Sequence, residues 1–342
     1  MSLALAPFGA TEPHGPHLPY GTDTMAATWL SEHLSAELKL ALLPAVPYGV
    51  VSSLLAYPMA VTLSPETLRE IASSMAELAL DSGYKAVVYV NGHGGNTDIL
   101  LSLIKELSRE RQVYAALLEW WHLASDITRM VFSCEGGHAA VDEAAAVLAN
   151  APHLVEQVDV SPYTVTWRPG VRAYPSPAPV MLYSSRSSPT PPSREEASLY
   201  WKLVCRRAKL TLQEILEGWE ALGLQLKPPA KWPQELKPPS PLLSELTLAK
   251  LSKLHLKSAS IPVLECSTPE GYGRELKQAA EASSADITLP PLPAYKPTWL
   301  PKAIEEIASS LRRHKVERIQ VICSRSLEKH AAKASKVEVT AL

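Results

Sequence analysis

Along the first two-thirds of the chain, short continuous apolar runs alternate with stretches of helical period, the pattern of buried parallel strands joined by helices. Residues Ser2 to Phe8 predict a strand, followed by a loop rich in Gly, Pro and His, and Asp23 to Leu38 predict a helix. Ser64-Pro65-Glu66 is a helix start, with serine at the N-cap and proline at the first helical position; that helix runs to about Leu80, and Gly83 lies just beyond it. Ala86 to Val90 predicts a buried strand, Asn91 to Asn96 the turn leaving it, and Thr97 to Arg111 the next helix. A further strand is expected over Val113 to Leu118, ending at Glu119-Trp120-Trp121, and an alanine-rich helix after His138, to about Asn150.

The pattern then changes. From Val158 to Pro192 the chain is rich in Pro, Ser, Tyr and Arg with no sustained period, a long irregular excursion of the kind that is usually functional or mobile. Ser193 to Glu196 has the form of a capping box and opens a helix to about Trp219. The Pro-Pro pairs between Leu226 and Pro241 impose extended backbone and predict a linker at 226–241. Beyond it, strands at Ile261–Cys266, Ile287–Leu289 and Arg318–Cys323 alternate with helices at Gly273–Ala282 and Leu300–His314, while Ser267 to Gly273 reads as a polar turn. The expected organisation is an α/β domain over 1–225, the linker, and a smaller α/β domain of unassigned role over 242–342.

Composition narrows the classes. A formal charge of −2 leaves no electrostatic footprint for nucleic acid or an anionic membrane. No apolar run is long enough for a bilayer and the N-terminus lacks the form of a signal peptide, so a cytoplasmic location is the expectation. The four cysteines are scattered without metal-finger spacing and are expected to be buried as small apolar residues. Thirty prolines and only three asparagines hint at a thermophilic source. Two of those asparagines, Asn91 and Asn96, fall in one turn, which points to a local chemical need there.

Three clusters carry candidate chemistry. Glu12-Pro-His14-Gly-Pro-His17-Leu-Pro-Tyr-Gly-Thr-Asp23 places two carboxylates and an imidazole directly after a strand, where α/β proteins build their sites. Taken alone it is also compatible with a proline-stiffened surface loop. Mixed O and N donors suit Zn²⁺, Mn²⁺ or Fe²⁺ better than Ca²⁺ or Mg²⁺, and a bridging carboxylate holds two such ions ~3.5–4 Å apart. Asn91-Gly-His93-Gly-Gly-Asn96 adds an imidazole at a second strand end, with glycines for close backbone approach to a ligand and asparagines to fix the loop. It lacks the pattern of a phosphate cradle. Glu135-Gly-Gly-His138, with Asp142 and Glu143 following, puts an acid–base candidate ahead of a helix.

Taken together, Glu-x-His-Gly-x-His-Leu-Pro-x-Gly-Thr-Asp, Asn-Gly-His-Gly-Gly-Asn and Gly-His-Ala with a glutamate five residues after the histidine resemble the creatininase (creatinine amidohydrolase) family over roughly residues 1–220. The resemblance implies a three-layer α/β/α fold with a mostly parallel sheet, a dinuclear Zn, Mn or Fe site, a small-molecule substrate and a homo-oligomer. By position, Glu12 and His93 would hold one ion, His14 the other, and Asp23 would bridge them. His138, with Glu143, would be catalytic, His138 as a proton shuttle, and Trp121 and Asn96 would lie at the substrate. The sequence also departs from the family. Where creatininase has a metal-binding glutamate two residues after the second motif's histidine, this chain has Gly95, and the Glu of the His-Ala-Gly-Glu form of many relatives is Val141. Glu119 or Glu143 is then the expected substitute ligand. Creatininase's tyrosine and glutamate after that histidine are both absent, which argues against creatinine itself as substrate.

The function expected is a metal-dependent hydrolase of a non-peptide amide C–N bond, a cyclic amide or formamide. In it, ion-activated water attacks the carbonyl, His138 protonates the departing nitrogen, and Trp120 and Trp121 form an apolar wall. One alternative is a formamidopyrimidine-nucleotide deformylase of riboflavin and deazaflavin (F420) biosynthesis, with Arg168, Arg172 and Arg186 at a phosphate. Another family branch trims a peptide-derived cofactor precursor. A reading of a different class is a metal-binding scaffold without turnover.

Overall fold

A computed structural model describes residues 3–110, 113–166, 171–182, 186–223 and 242–342. The expected linker at 226–241 and Arg168 lie outside the described residues.

In chain order the first part comprises β1 (Leu3–Phe8), α1 (Thr22–Leu38), β2 (Ala41–Leu42), α2 (Pro65–Asp81), β3 (Ala86–Asn91), α3 (Thr97–Glu110), β4 (Tyr114–Glu119), α4 (Trp120–Leu123), α5 (Ser125–Phe132), α6 (Val141–Asn150), β5 (Thr164–Thr166), β6 (Val180–Leu182) and α7 (Arg194–Ala221). Strands β2-β1-β3-β4 form one all-parallel sheet in that order. Alternate residues of its central strands are buried on opposite faces, as the two-residue period of a strand requires. Leu3, Leu5, Val88 and Val90 pack with α1, α6 and α7, whereas Ala4, Ala6, Val87 and Tyr89 pack with α2 and α3. The result is the α/β/α sandwich. Every helix and strand expected before residue 222 is present within a few residues of its expected ends. The excursion contributes one short parallel pair, β5 with β6.

The later part comprises α8 (Leu242–Glu245), α9 (Leu248–Leu251), β7 (Ser258–Glu265), α10 (Pro269–Ala282), β8 (Ile287–Thr288), β9 (Leu292–Ala294), α11 (Leu300–Arg313), β10 (Arg318–Cys323), α12 (Glu328–Ala331) and β11 (Glu338–Ala341). Its sheet runs β11-β10-β7-β8, with β9 also on β7, all parallel. Much of the stretch read as a polar turn before residue 273 is helix: Thr268 caps α10 through Gly271 N and Pro269 occupies its first turn.

The two sheets are not separated by solvent. One continuous apolar cluster runs from Phe8 and Tyr89 through Leu68, Ile71 and Met75 of α2 into Ile261, Val263, Ile304 and Ile307 of the second part. Polar contacts seal the same boundary. Glu306 of α11 accepts from Ser64 N at 2.8 Å at the start of α2, and Lys296 Nζ meets Asp81 at its other end. Cys205, Cys266 and Cys323 are buried free thiols as expected, and Cys134 is half-buried.

Candidate metal centre

Parallel strands deliver their loops to one edge, and three loops meet there. The loop after β1 carries Glu12 and His14 and ends in the first turn of α1 with Asp23. The turn after β3 carries His93. The approach to α6 carries His138, and its first turn carries Glu143. Glycine permits this convergence, because a side chain at Gly92 would lie 2.0 Å from the Asp23 carbonyl oxygen. The close approach is therefore to the protein's own backbone, not to a ligand as its sequence suggests.

Glu12, His14 and Asp23 are almost fully buried and His93 nearly so. His14 Nε2 lies 2.8 Å from Asp23 Oδ1 and 3.6 Å from Glu143 Oε2. His93 Nδ1 lies 3.1 Å from Glu12 Oε1 and 2.9 Å from Asp23 Oδ2. Donor atoms of Glu12, Asp23 and His93 fall within 4.8 Å of one another, as do those of His14, Asp23 and Glu143, and those of Glu12, His14 and His138. Asp23 belongs to two of these groups, with one oxygen toward each imidazole.

The outer nitrogens of the three histidines identify what the inner ones are for. His14 Nδ1 donates to the Glu12 carbonyl at 3.1 Å, His93 Nε2 to the Val50 carbonyl at 3.1 Å, and His138 Nε2 to the Pro13 carbonyl at 2.8 Å. A carbonyl only accepts, so each outer nitrogen carries the proton. The inner nitrogen of each neutral ring then presents a lone pair to carboxylates. Two sets of lone pairs facing each other out of water need positive charge between them. In the protein alone protons supply it. Burial would lower the pKa of His14, but Asp23, Glu143 and Glu12 outweigh it and raise it to about 10. His93 is raised well above its ordinary value against the same burial, by Glu12 and Asp23. Asp23 is held low by His14 and His93 although burial opposes it, and Glu143 is raised by burial. Glu12 Oε2 remains buried with no hydrogen-bonded partner. A divalent cation would replace those protons and take up that oxygen, so the donor set fits bound metal.

Other expectations fare differently. Glu119, one of two candidates to replace the absent glutamate, points away: it accepts from Thr97 Oγ1 and lies 3.3 Å from His122 Nδ1. Glu143, the other candidate and also expected among the catalytic groups, stands beside His14 and Asp23, while its Oε2 accepts from Ala139 N at 2.6 Å. Nor is there room for a side chain at residue 95, whose Cβ would sit 2.1 Å from the Val50 carbonyl oxygen and 2.5 Å from His93 Nε2. Asn96 is not free for substrate. Its Oδ1 accepts from Val50 N and its Nδ2 donates to the Gly9 carbonyl, so it braces loops. Asn91 holds the His93 backbone through both amide atoms. Trp121 is half-buried, edge-on to Trp120 and beside His122, whereas Trp120 is core, packed on Trp201, and drops out of the expected wall. Arg172 is exposed, and Arg186 faces Glu135 at 3.9 Å.

His17, given no role by the motif spacing, is fully buried with neither ring nitrogen partnered, its pKa lowered to about 4 by burial and by His14. Nor does the spacing mark the stretch Tyr48–Val50, whose backbone carbonyl orients His93. A backbone acceptor leaves no trace in residue type.

The family model described as creatinine amidohydrolase matches residues 1–200. The mycofactocin precursor peptide peptidase of Mycobacterium tuberculosis is 30% identical over 192 residues, covering 53% of this chain and 67% of that protein. The 3-dehydro-scyllo-inosose hydrolase of Thermotoga maritima is 27% identical over 173 residues, 47% of this chain and 55% of that protein. A crystal structure of creatinine amidohydrolase superposes with a TM-score of 0.53 at 24% identity, covering 62% of this chain and 90% of that one.

Proposed function

This chain belongs to the creatininase family of amidohydrolases, and from that membership we propose that it hydrolyses a non-peptide amide C–N bond, in a cyclic amide or a formamide, with the help of two divalent ions. One ion would be held by Glu12, Asp23 and His93, the other by His14, Asp23 and Glu143. Zn and Mn forms of creatininase are among the solved structures of the same fold. When bound, such a pair supplies a water that is nucleophilic near neutral pH and a Lewis acid for the carbonyl.

The chain's own groups do the rest. Val50 and Glu12 carbonyls fix the tautomers of His93 and His14, so that both rings face inward. His138 stacks 4.4 Å from the His14 ring, with Nδ1 3.7 Å from Glu12 Oε1. Burial, together with the neighbouring His14, lowers its pKa. A neutral imidazole so placed can take a proton from the nucleophile and return it to the departing nitrogen. Trp121, half-buried in α4 just after β4, would offer an apolar edge to a small substrate.

The observation that carries the reading is the common orientation of His14, His93 and His138, outer nitrogens on carbonyls and inner nitrogens on carboxylates. Glu143 offers a carboxylate where Gly95 and Val141 leave none, which supports turnover over a metal-binding scaffold. A second reading, hydrolysis of a bond in a small peptide, is favoured by the similarity to the mycofactocin precursor peptide peptidase. Elemental analysis of protein purified without chelator, followed by assays on cyclic amides, formamides and short peptides, distinguishes these. Two metal equivalents with turnover of a cyclic amide or formamide is the expected result. One weakly held ion and no turnover would return the scaffold.

A further inference from the structure

Residues 242–342 lie beyond the segment matched by the family model, yet they touch one metal loop directly and the stretch that orients His93 of another. The first is the loop between His14 and Asp23. Tyr20 N donates to the Leu246 carbonyl at 2.9 Å, and Gly21 sits so close to α8 that a Cβ there would lie 2.6 Å from Ser244 Cβ. Gly21 is the residue from which α1 starts, two before Asp23. The second is the stretch that orients His93. The buried Tyr48 hydroxyl donates to the Pro290 carbonyl at 2.5 Å, between β8 and β9. Two residues on, Val50 accepts from His93 Nε2 and is itself held by Asn96.

We infer that the C-terminal part is a positioning element of the metal centre: through Leu246–Tyr20 and Pro290–Tyr48 it sets the distance between the loop bearing Asp23 and the loop bearing His93. This rests on the metal reading above. Tyr48 and Gly21 are positioning residues and touch no metal donor directly. The physical reason is one of tolerance. Two loops of different strands must hold their donors within tenths of an ångström, and a loop's own hydrogen bonds fix its shape better than its place relative to a neighbour. Here the first loop is tied directly, and the second through Tyr48 and Val50, to one third body, the second sheet, whose core is continuous with α2.

The test uses the full chain. Tyr48→Phe removes one tie, and Gly21→Ala, allowed by its φ of −89°, drives a wedge into the other. Glu306→Ala breaks a contact between the same two parts that leads to the start of α2 and to neither metal loop. Zn²⁺ affinity is measured by titration against a competing chelator, on protein whose fold is verified by circular dichroism. Weakening by about tenfold or more in Tyr48→Phe or Gly21→Ala, with Glu306→Ala within twofold of the parent, is expected. Parental affinity in both tie variants overturns the inference, and so does an equal loss in all three, which would mark plain destabilisation. Failure of the parent chain to bind Zn²⁺ would instead strike the metal reading, and this inference with it.

Discussion

At the scale of single residues the centre turns on where one carboxylate comes from. Gly95 faces the Val50 carbonyl too closely for any side chain, and Glu143 reaches the same basin from the first turn of α6. On the two-ion proposal, Glu143→Gln should therefore lower bound metal from two equivalents towards one and cut turnover by about a hundredfold, whereas Glu119→Gln should leave metal content about unchanged; elemental analysis and initial rates read both. Restoring the family's residue should not help. Gly95→Glu is expected to overpack the turn and cost about 1–3 kcal/mol in urea unfolding, with no gain in metal. The motif spacing made Glu12, His14, Asp23 and His93 legible as donors before any fold was known. Between Glu119 and Glu143 the sequence does not choose, because the direction in which a helix's first turn points depends on how that helix is docked.

Elements place these residues, and their ends are written locally. Ser64 accepts from Thr67 N and Pro65 sits in the first turn, so α2 starts where residue types require it. Ser64→Ala should cost about 1 kcal/mol, measured as a shift of the urea midpoint at unchanged slope. Ser193 and Glu196 form a reciprocal capping box at the start of α7, again as the sequence indicates. Short pieces were less visible. The two-residue strand β2 exists because Leu43 N finds the Leu5 carbonyl, and β9 because it can lie along β7; neither has a period long enough to read. Trp120 shows the opposite failure. Its residue type suits a site wall, but its position at the start of α4 turns it into the core against Trp201.

For the whole molecule, the acids and imidazoles of the centre are held in mutual opposition that a cation relieves, so metal binding should couple to stability. Chelation is expected to lower the thermal midpoint, and re-addition of Zn²⁺ at about a hundred times its dissociation constant to restore about 2.7 kcal/mol. Calorimetry with and without chelator measures this, and a midpoint indifferent to metal would contradict the centre. The shared core between the two sheets predicts that the same experiment shows one cooperative transition across the chain, because neither part can shed its apolar face without exposing the other's. The composition suggested two α/β pieces. That the second would be packed without a gap against the first was not written in it.

What the sequence determined alone is whatever depends on neighbours along the chain: the periods that make strands and helices, the caps that start them, and the spacing that puts Glu12, His14 and Asp23 on one loop. Tertiary structure decided which way the side chains of separate loops face, which backbone carbonyls take the outer nitrogens of His14, His93 and His138, and that Glu143, not Glu119, stands with them. The reason is physical. Local structure follows from torsional preference and hydrogen bonding over a few residues, whereas a site is a set of distances between loops that meet only once the sheet and its helices have packed.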